Sequence, residues 1–578
     1  MARPVLLFLL LLAFLSGLPS LTAQGQTGPP QGRGAGQGLG RGQAVPPRDP
    51  REQTAGTAVI RGRIVSAETG SPIRRAQVRA TSGSERARLV STDADGRFEF
   101  RDLVAGRWNL TASKAGFVTL RYGQRRPFEA GRPIELAEKQ VMDRAELALP
   151  RGAAITGRVF DEFGDPVAGA RIQVMRYQLV QGTRRLMPTG GQGQSDDTGA
   201  FRVFGLMPGD YYLSATLRAL PVDDPTDATN YAPTYFPGTG SVQDAQRITV
   251  MLGQEQSGIN FALLPVRTVR VTGVAIDSMG MPLSGGTVVL MPSDAVGPAL
   301  QMLGPGGGGG GRVGGGGGFT LSNVVPGSYT LMVTSGGGRQ RDGTLEIGTL
   351  PLSVGNEDLD SVSVVTGKGA TLSGTIAAAP DLAAKPTTNG ITVNVQPIGQ
   401  TRGFPGRPGR SNADGTFQVA SLFGQGLIRV NGLPQDWTLK AVMIGGTDVI
   451  DTPLDFKPND DIRGVQILLT NRLSEISGTA KGADGKPVLD YTVVIFPDEE
   501  TKWTAPSRYI WSSRPDQQGV FKIRALPVAG NYLAVAVDYL EEGEANDPEF
   551  LASVRDRATP FTVTDGVSKT VDVKLVLR

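Results

Sequence analysis

Thr198-Gly199-Ala200-Phe201-Arg202-Val203-Phe204-Gly205-Leu206-Met207-Pro208-Gly209-Asp210-Tyr211 decides the fold, because the same phrase is written repeatedly along the chain. A tight turn leads through Gly-x-Phe into a short strand; a Pro-Gly turn ends that strand, and an aromatic residue begins the next. The first mark recurs at Asp95-Gly96-Arg97-Phe98, Gly317-Gly318-Phe319, Asp414-Gly415-Thr416-Phe417 and Gln518-Gly519-Val520-Phe521. The second recurs at Val104-Ala105-Gly106-Arg107-Trp108, Val325-Pro326-Gly327-Ser328-Tyr329 and Pro527-Val528-Ala529-Gly530-Asn531-Tyr532; Phe423-Gly424-Gln425-Gly426-Leu427 departs from it. Upstream of each turn stands an apolar strand interrupted by glycine: Val59-Ile60-Arg61-Gly62, Ala154-Ile155-Thr156-Gly157, Arg270-Val271-Thr272-Gly273, Thr371-Leu372-Ser373-Gly374 and Glu475-Ile476-Ser477-Gly478.

Each copy closes on a strand with alternate apolar residues. The last reads Val571, Val573, Leu575 and Leu577, with Asp572 and Lys574 between, so one face goes inward and the other meets water. Period two with such different faces predicts antiparallel two-sheet sandwiches. A repeat of roughly 100 residues is too long for a solenoid and suits small domains. The expected fold is therefore all-β: a tandem array of five immunoglobulin-like or transthyretin-like sandwiches at 57–150, 151–265, 266–367, 368–471 and 472–578. One short helix is expected near the end, where Asp547 caps, Pro548 opens, and Phe550, Leu551 and Val554 share a face.

Composition narrows the chemistry. Gly at 79 and Pro at 40 suit many turns, and a formal charge of +3 over 578 residues implies no nucleic-acid partner. There is no cysteine, hence no disulfide, thiolate nucleophile or cysteine metal cage, and no histidine, the commonest general base and zinc ligand. Only carboxylates, Lys or Tyr remain for hydrolytic work. The expectation is a non-enzyme with no cofactor and no metal.

Arg3, the apolar run Val5 to Leu15 and Leu21-Thr22-Ala23 read as a cleaved signal peptide over 1–23, too short to span a bilayer. Residues 24–56, rich in Gly, Pro, Gln and Arg, read as a disordered leader. The mature chain is expected without a transmembrane segment, secreted or at the periplasmic or cell surface.

At the turns already quoted, and at Asp165-Pro166-Val167-Ala168-Gly169-Ala170 leading into Ile172 and Val174, the chain resembles the carboxypeptidase-regulatory-like family, also called transthyretin-like or prealbumin-like domains. The resemblance covers nearly everything after the leader. It implies a secreted bacterial repeat protein built of non-catalytic β-sandwiches, a domain often appended to proteases, surface proteins or outer-membrane receptors. Domains of the related starch-binding-like fold bind carbohydrate. Collagen-adhesin relatives cross-link a first-strand Lys to a last-strand Asn; Arg61, Arg63, Arg158 and Arg270 stand in these first strands, so no such bond is expected.

Apparent sites mostly have plainer explanations. Asp93-Ala94-Asp95-Gly96 lacks the further oxygens of a calcium loop and reads as a hairpin turn. The pairs Asp223-Asp224, Asp460-Asp461, Glu499-Glu500 and Glu541-Glu542 read as solvated loop charges. Gly304 to Gly318 precedes a strand, where a phosphate cradle needs a following helix, and reads as a loop. Trp108 and Trp437 are expected in cores. The remaining ligand candidates are aromatic: Trp503, Tyr509 and Trp511 in one insertion, and Tyr231, Tyr235 and Phe236 in another. Rings flanked by polar groups stack on a sugar or anchor a protein, while rings that pack on their own sheet do neither. The expected function is an extracytoplasmic binding module for carbohydrate or envelope polymer, with a structural spacer or protein-interaction scaffold at the cell surface as the alternative.

Overall fold

The computed structural model describes residues 56–83, 86–180, 182–217, 229–293, 310–336, 345–398, 406, 408–434, 436–528 and 530–578. The signal peptide, the leader through residue 55, Asp223-Asp224 and residues 304–309 of the glycine-rich stretch lie outside the described residues; 310–313, expected as loop, instead form the strand Gly310–Val313 paired with Gly286–Pro292. The regular elements are nearly all strands, with one α-helix, Pro548–Val554. Among the described residues no helix is long and apolar enough to cross a membrane.

One pairing recurs in every copy. Gly62 stands opposite Phe98, Gly157 opposite Phe201, Gly273 opposite Phe319, Gly374 opposite Phe417 and Gly478 opposite Phe521. On the other side of each glycine runs the closing strand, so close that a Cβ would fall 2.0 Å from the Ala145 carbonyl oxygen, 1.8 Å from that of Ile259 and 2.1 Å from that of Val362. The same holds at Gly374, 1.8 Å from the Val465 oxygen, and Gly478, 2.0 Å from that of Val571. The missing side chain lets three backbones meet, and the phenylalanine ring covers the gap. This explains why a glycine that weakens an isolated strand recurs at one register position.

The closing strand runs parallel to the first in all copies. That corrects the purely antiparallel expectation. Between the two strands the chain crosses to the second sheet and back, which supplies the long connection a parallel pair needs. The second sheet itself is antiparallel, for example Gln77–Ser82 between Arg88–Ser91 and Gly106–Ser113. In the last copy Asn531–Val537 also pairs with Val573–Val576, which links the two layers through one hydrogen-bonded path.

The aromatic after the second turn has a polar reason as well as an apolar one. Trp108 Nε1 donates to the Val104 carbonyl at 3.0 Å, and the Tyr211, Tyr329 and Tyr532 hydroxyls donate to those of Met207, Val325 and Pro527 at 2.7, 2.6 and 2.7 Å. Each ring fills a sandwich while its tip satisfies the turn that precedes it. The apolar residues cluster accordingly within 58–149, 153–263, 269–364 and 370–469. The last copy has two clusters, one between its sheets and one beneath the helix, where Phe550, Leu551 and Val554 pack on Phe496 and Trp503. Asp547 caps that helix by accepting from Glu549 N at 3.0 Å.

Candidate functional site

The aromatic candidates part company once placed. Trp503 is 4% exposed, edge-on to Phe496 with centroids 5.7 Å apart, and its Nε1 donates to the Pro497 carbonyl at 2.7 Å. Burial and a spent polar tip make it a core ring. Tyr509 is half-buried; its hydroxyl donates to Asp451 Oδ2 at 2.6 Å and accepts from Arg508 Nη2 at 2.9 Å. Burial, with Asp451 second, pushes that hydroxyl up to about 12. Since Asp451 belongs to the fourth copy, Tyr509 and Arg508 fasten the joint between the fourth and last copies. Trp511, on the strand Trp511–Ser513, is 41% exposed, its Nε1 donating to the Arg508 carbonyl at 2.9 Å.

In the second copy Tyr231 lies on Thr229–Tyr231 and donates to Glu162 Oε2 at 2.6 Å. Tyr235 pairs through its backbone with Ser214, and Phe236 packs edge-on to Phe261 at 6.0 Å. Phe236 and Tyr231 both rest against their own core. Trp503, Tyr231 and Phe236 thus pack on their own copies, while Tyr509 is spent on a joint and Trp511 stays open.

The carboxylate pairs among the described residues are engaged. Glu541 and Glu542, expected as solvated, pair with Arg176 at 2.7 Å and Arg121 at 2.9 Å. Glu499 meets Lys502 at 2.7 Å and Glu500 meets Arg555 at 2.7 Å. Asp461 pairs with Arg463 and accepts from the Thr371 hydroxyl at 2.9 Å. Asp93 Oδ1 accepts from Asp95 N at 2.9 Å and Arg97 N at 2.8 Å, the geometry of a turn. Among the described residues no group of three or more His, Cys, Asp or Glu is placed to hold a metal.

The most developed polar surface is one the sequence reading missed, a clasp between the first and last copies. At its centre Arg514 is 3% exposed and Glu129 4% exposed, with Nη1 and Oε2 2.9 Å apart. Arg514 also donates to the Ala130 carbonyl at 3.0 Å and meets Asp490 through Nη2. Glu129 Oε2 accepts from the Arg125 and Arg126 amides at 3.0 and 3.2 Å. Around this pair Arg125 reaches Asp490 at 2.9 Å, Arg126 reaches Asp538 at 2.9 Å, and Arg132 Nη2 donates to the Asp516 carbonyl at 2.5 Å. Burial holds the Arg132 guanidinium below its ordinary value. Gln517 Nε2 donates to the Glu135 carbonyl at 3.0 Å, and the Tyr539 hydroxyl to that of Pro127 at 2.8 Å.

Around the central pair, whose acid Glu129 stands on the first copy and whose cation Arg514 stands on the last, the other charges sort by side. Arg121, Arg125, Arg126 and Arg132 come from one loop region of the first copy, and Asp490, Asp538 and Glu542 come from the last. The second copy joins through Arg176, which pairs with Glu541 and lies 3.4 Å over the Phe128 ring. Its hairpin tip also arrives: a Cβ on Gly182 would meet Ala505 Cβ at 3.0 Å, and one on Gly543 would meet the Leu179 oxygen at 2.5 Å. Complementary charge over so much contact fixes register between partners more than it adds raw stability. Clustered arginines at 121–132 and acids at 538–544 were visible signals; that they face each other was not.

Comparison with known proteins gives a family for part of the chain. Residues 59–144 match the family model of the carboxypeptidase regulatory-like domain. No curated protein matches the chain. Among solved structures, a streptococcal ancillary pilin is similar at 13% identity, over 54% of this chain and 98% of that one, with a TM-score of 0.21. The Bacillus anthracis TIE protein is similar at 13% identity, over 73% and 74%, with a TM-score of 0.14. The minor pilin GBS52 of Streptococcus agalactiae is similar at 12% identity, over 37% and 99%, with a TM-score of 0.20.

Proposed function

We propose that this chain, whose residues 59–144 match the carboxypeptidase regulatory-like domain, is a non-catalytic scaffold working outside the cytoplasm. In this reading residues 1–23 direct export, and 57–150, 151–265, 266–367, 368–471 and 472–578 are its five sandwiches. The clasp is the observation that carries it. A chain of independent binding beads needs no buried ion pair between its first and last members, whereas a scaffold that presents surfaces at fixed spacing does. The lack of histidine and cysteine and the engaged carboxylates support a non-enzymatic role.

A second reading, that the scaffold also binds carbohydrate through its aromatic loops, is favoured by Trp511, the most exposed ring of the six. Sugar stacking needs an open aromatic face, and Trp511 offers one where Trp503 does not.

Small-angle scattering tests the scaffold. Replacement of Arg514 by Glu sets like charges against Glu129 and Asp490, so the variant is expected to show a larger radius of gyration than the native chain. Equal radii, with the variant still folded by circular dichroism, would contradict the reading.

A further inference from the structure

Two adjoining concavities, of about 450 and 570 Å³, lie at one end of the first copy and share Arg74 and Lys114 in their walls. Arg151 closes one and Arg75 the other. We propose that this groove binds an acidic polysaccharide, with Arg74, Arg75, Lys114 and Arg151 holding its carboxylates. The proposal rests on the scaffold reading for the protein's access to such polymers, and it names what one surface of that scaffold takes.

Comparison among the copies supplies the first argument. Pro72, Pro166 and Pro282 each bridge back to the first strand of their copy, which sets the register. Three residues on stand Arg75, Gly169 and Gly285, with φ of 53°, 79° and 89°. Arg75 N and Gly169 N donate to the equivalent carbonyls of Thr92 and Ser195, each at 3.0 Å. Glycine adopts this left-handed backbone freely and arginine does not. The first copy alone of the three puts a cation there, against backbone preference. Strained positions of this kind point to function. Arg74 stands beside it where the others have Ala168 and Ser284.

Lys114 repeats the contrast. Gln77 opposite Ser113, Arg171 opposite Thr216 and Thr287 opposite Thr334 align it with Leu217 and Ser335. Its ammonium donates to the carbonyls of Arg74 and Arg75 at 3.1 and 3.3 Å, which seats the charge between them without neutralising it.

Two carboxylates also stand in the walls, each held by hydrogen bonds that leave its charge in place. Glu68 accepts from Ser66 Oγ at 2.7 Å and Arg151 N at 2.5 Å, and Asp93 from the two amides of its turn. Ion pairs within the first copy instead join Arg61 to Glu99 and Asp143, Arg97 to Asp95 and Arg101 to Glu99. Four cations set against Glu68 and Asp93 leave the groove net positive, and clustered like charge raises the local concentration of anions. The Phe117 ring, 5.7 Å from the Arg151 guanidinium, and the Ser71 and Thr69 hydroxyls add the apolar face and hydrogen-bonding groups that a sugar ring uses. That mixture favours a uronate chain over a bare polyanion.

The test is retention of the full-length mature chain on immobilised polygalacturonate, with dextran, polyglutamate and single-stranded DNA as comparison supports. Retention is expected on polygalacturonate above all three, falling as salt rises. The triple variant R74A/R75G/K114A is expected to lose at least about tenfold in affinity, as removal of several facing charges does. R75G alone should weaken retention with an unchanged or higher Tm, since glycine suits that backbone better, which separates a binding loss from misfolding. Equal retention on dextran, stronger retention on DNA or polyglutamate, or a triple variant held as tightly as the native chain would overturn the proposal. Scattering from the triple variant is expected to match the native chain, so a failure here leaves the scaffold reading standing.

Discussion

The same turn does opposite work at the two ends of this molecule. Three residues past Pro72 the first copy places Arg75, exposed and facing an open groove. Three residues past Pro487 the last copy places Asp490, which meets Arg125 of the first copy and Arg514 of its own. One charge is left for solvent or ligand, and the other is consumed in holding the ends together. The β-sandwich fixes where the turn points; what the turn does follows from whether another surface covers it.

The comparison breaks most visibly if the covered end is disturbed. Arg514→Ala leaves Glu129 buried without its cation, a change that costs about 3–5 kcal/mol when a buried pair loses one member. Chemical denaturation is expected to show the last copy unfolding at lower denaturant, ahead of the fourth. Coincident transitions at the native midpoint would mean that the clasp contributes nothing.

Next in size is the contrast between two tryptophans of one insertion. Trp503→Ala removes a core ring and is expected to destabilise by about 3–5 kcal/mol, while Trp511→Ala on the open strand should stay within about 1 kcal/mol. Equal losses in thermal melts would place both rings in the same environment and remove the one exposed aromatic from consideration as a ligand contact.

The smallest effect is on alkaline stability. Burial is the main cause that pushes up the hydroxyls of Tyr491, Tyr509, Tyr532 and Tyr539, all in the last copy, Tyr509 to about 12. The fourth copy, 368–471, contains no tyrosine. A raised pKa means the folded state keeps a proton the unfolded chain gives up. The stabilisation is complete below the unfolded value of about 10 and is lost as pH climbs through the folded value. The Tm of the last copy is therefore expected to fall between about pH 10 and 12 while the fourth holds. Parallel decline would show that the tyrosines are not the cause.

How far the sequence could be read follows from the range of each interaction. The glycine that meets Phe98, Phe201, Phe319, Phe417 or Phe521 was legible because its cause lies within one copy and is repeated. The parallel direction of the closing strand was not, because alternation reports faces and says nothing of direction. The helix at Pro548 was legible from a local cap and a shared apolar face. Trp503 and Trp511 have similar sequence surroundings, and only the packing of Phe496 and the helix tells them apart. Glu129 carries no local signal of burial at all. Its setting is made by Arg514, 385 positions away in a chain that has to fold before the two can meet.

Because the chain has no cysteine of its own, placement of the last copy against the first can be measured directly with two introduced thiols. Glu135 and Gln517 meet at the edge of the clasp, the Gln517 amide donating to the Glu135 carbonyl at 3.0 Å. The variant E135C/Q517C, treated in dilute solution with a short bifunctional maleimide, is expected to cross-link within one molecule, and to lose that cross-link when Arg514→Ala is added. Absence of an intramolecular cross-link in the otherwise native, folded chain would contradict the clasp and the scaffold built on it.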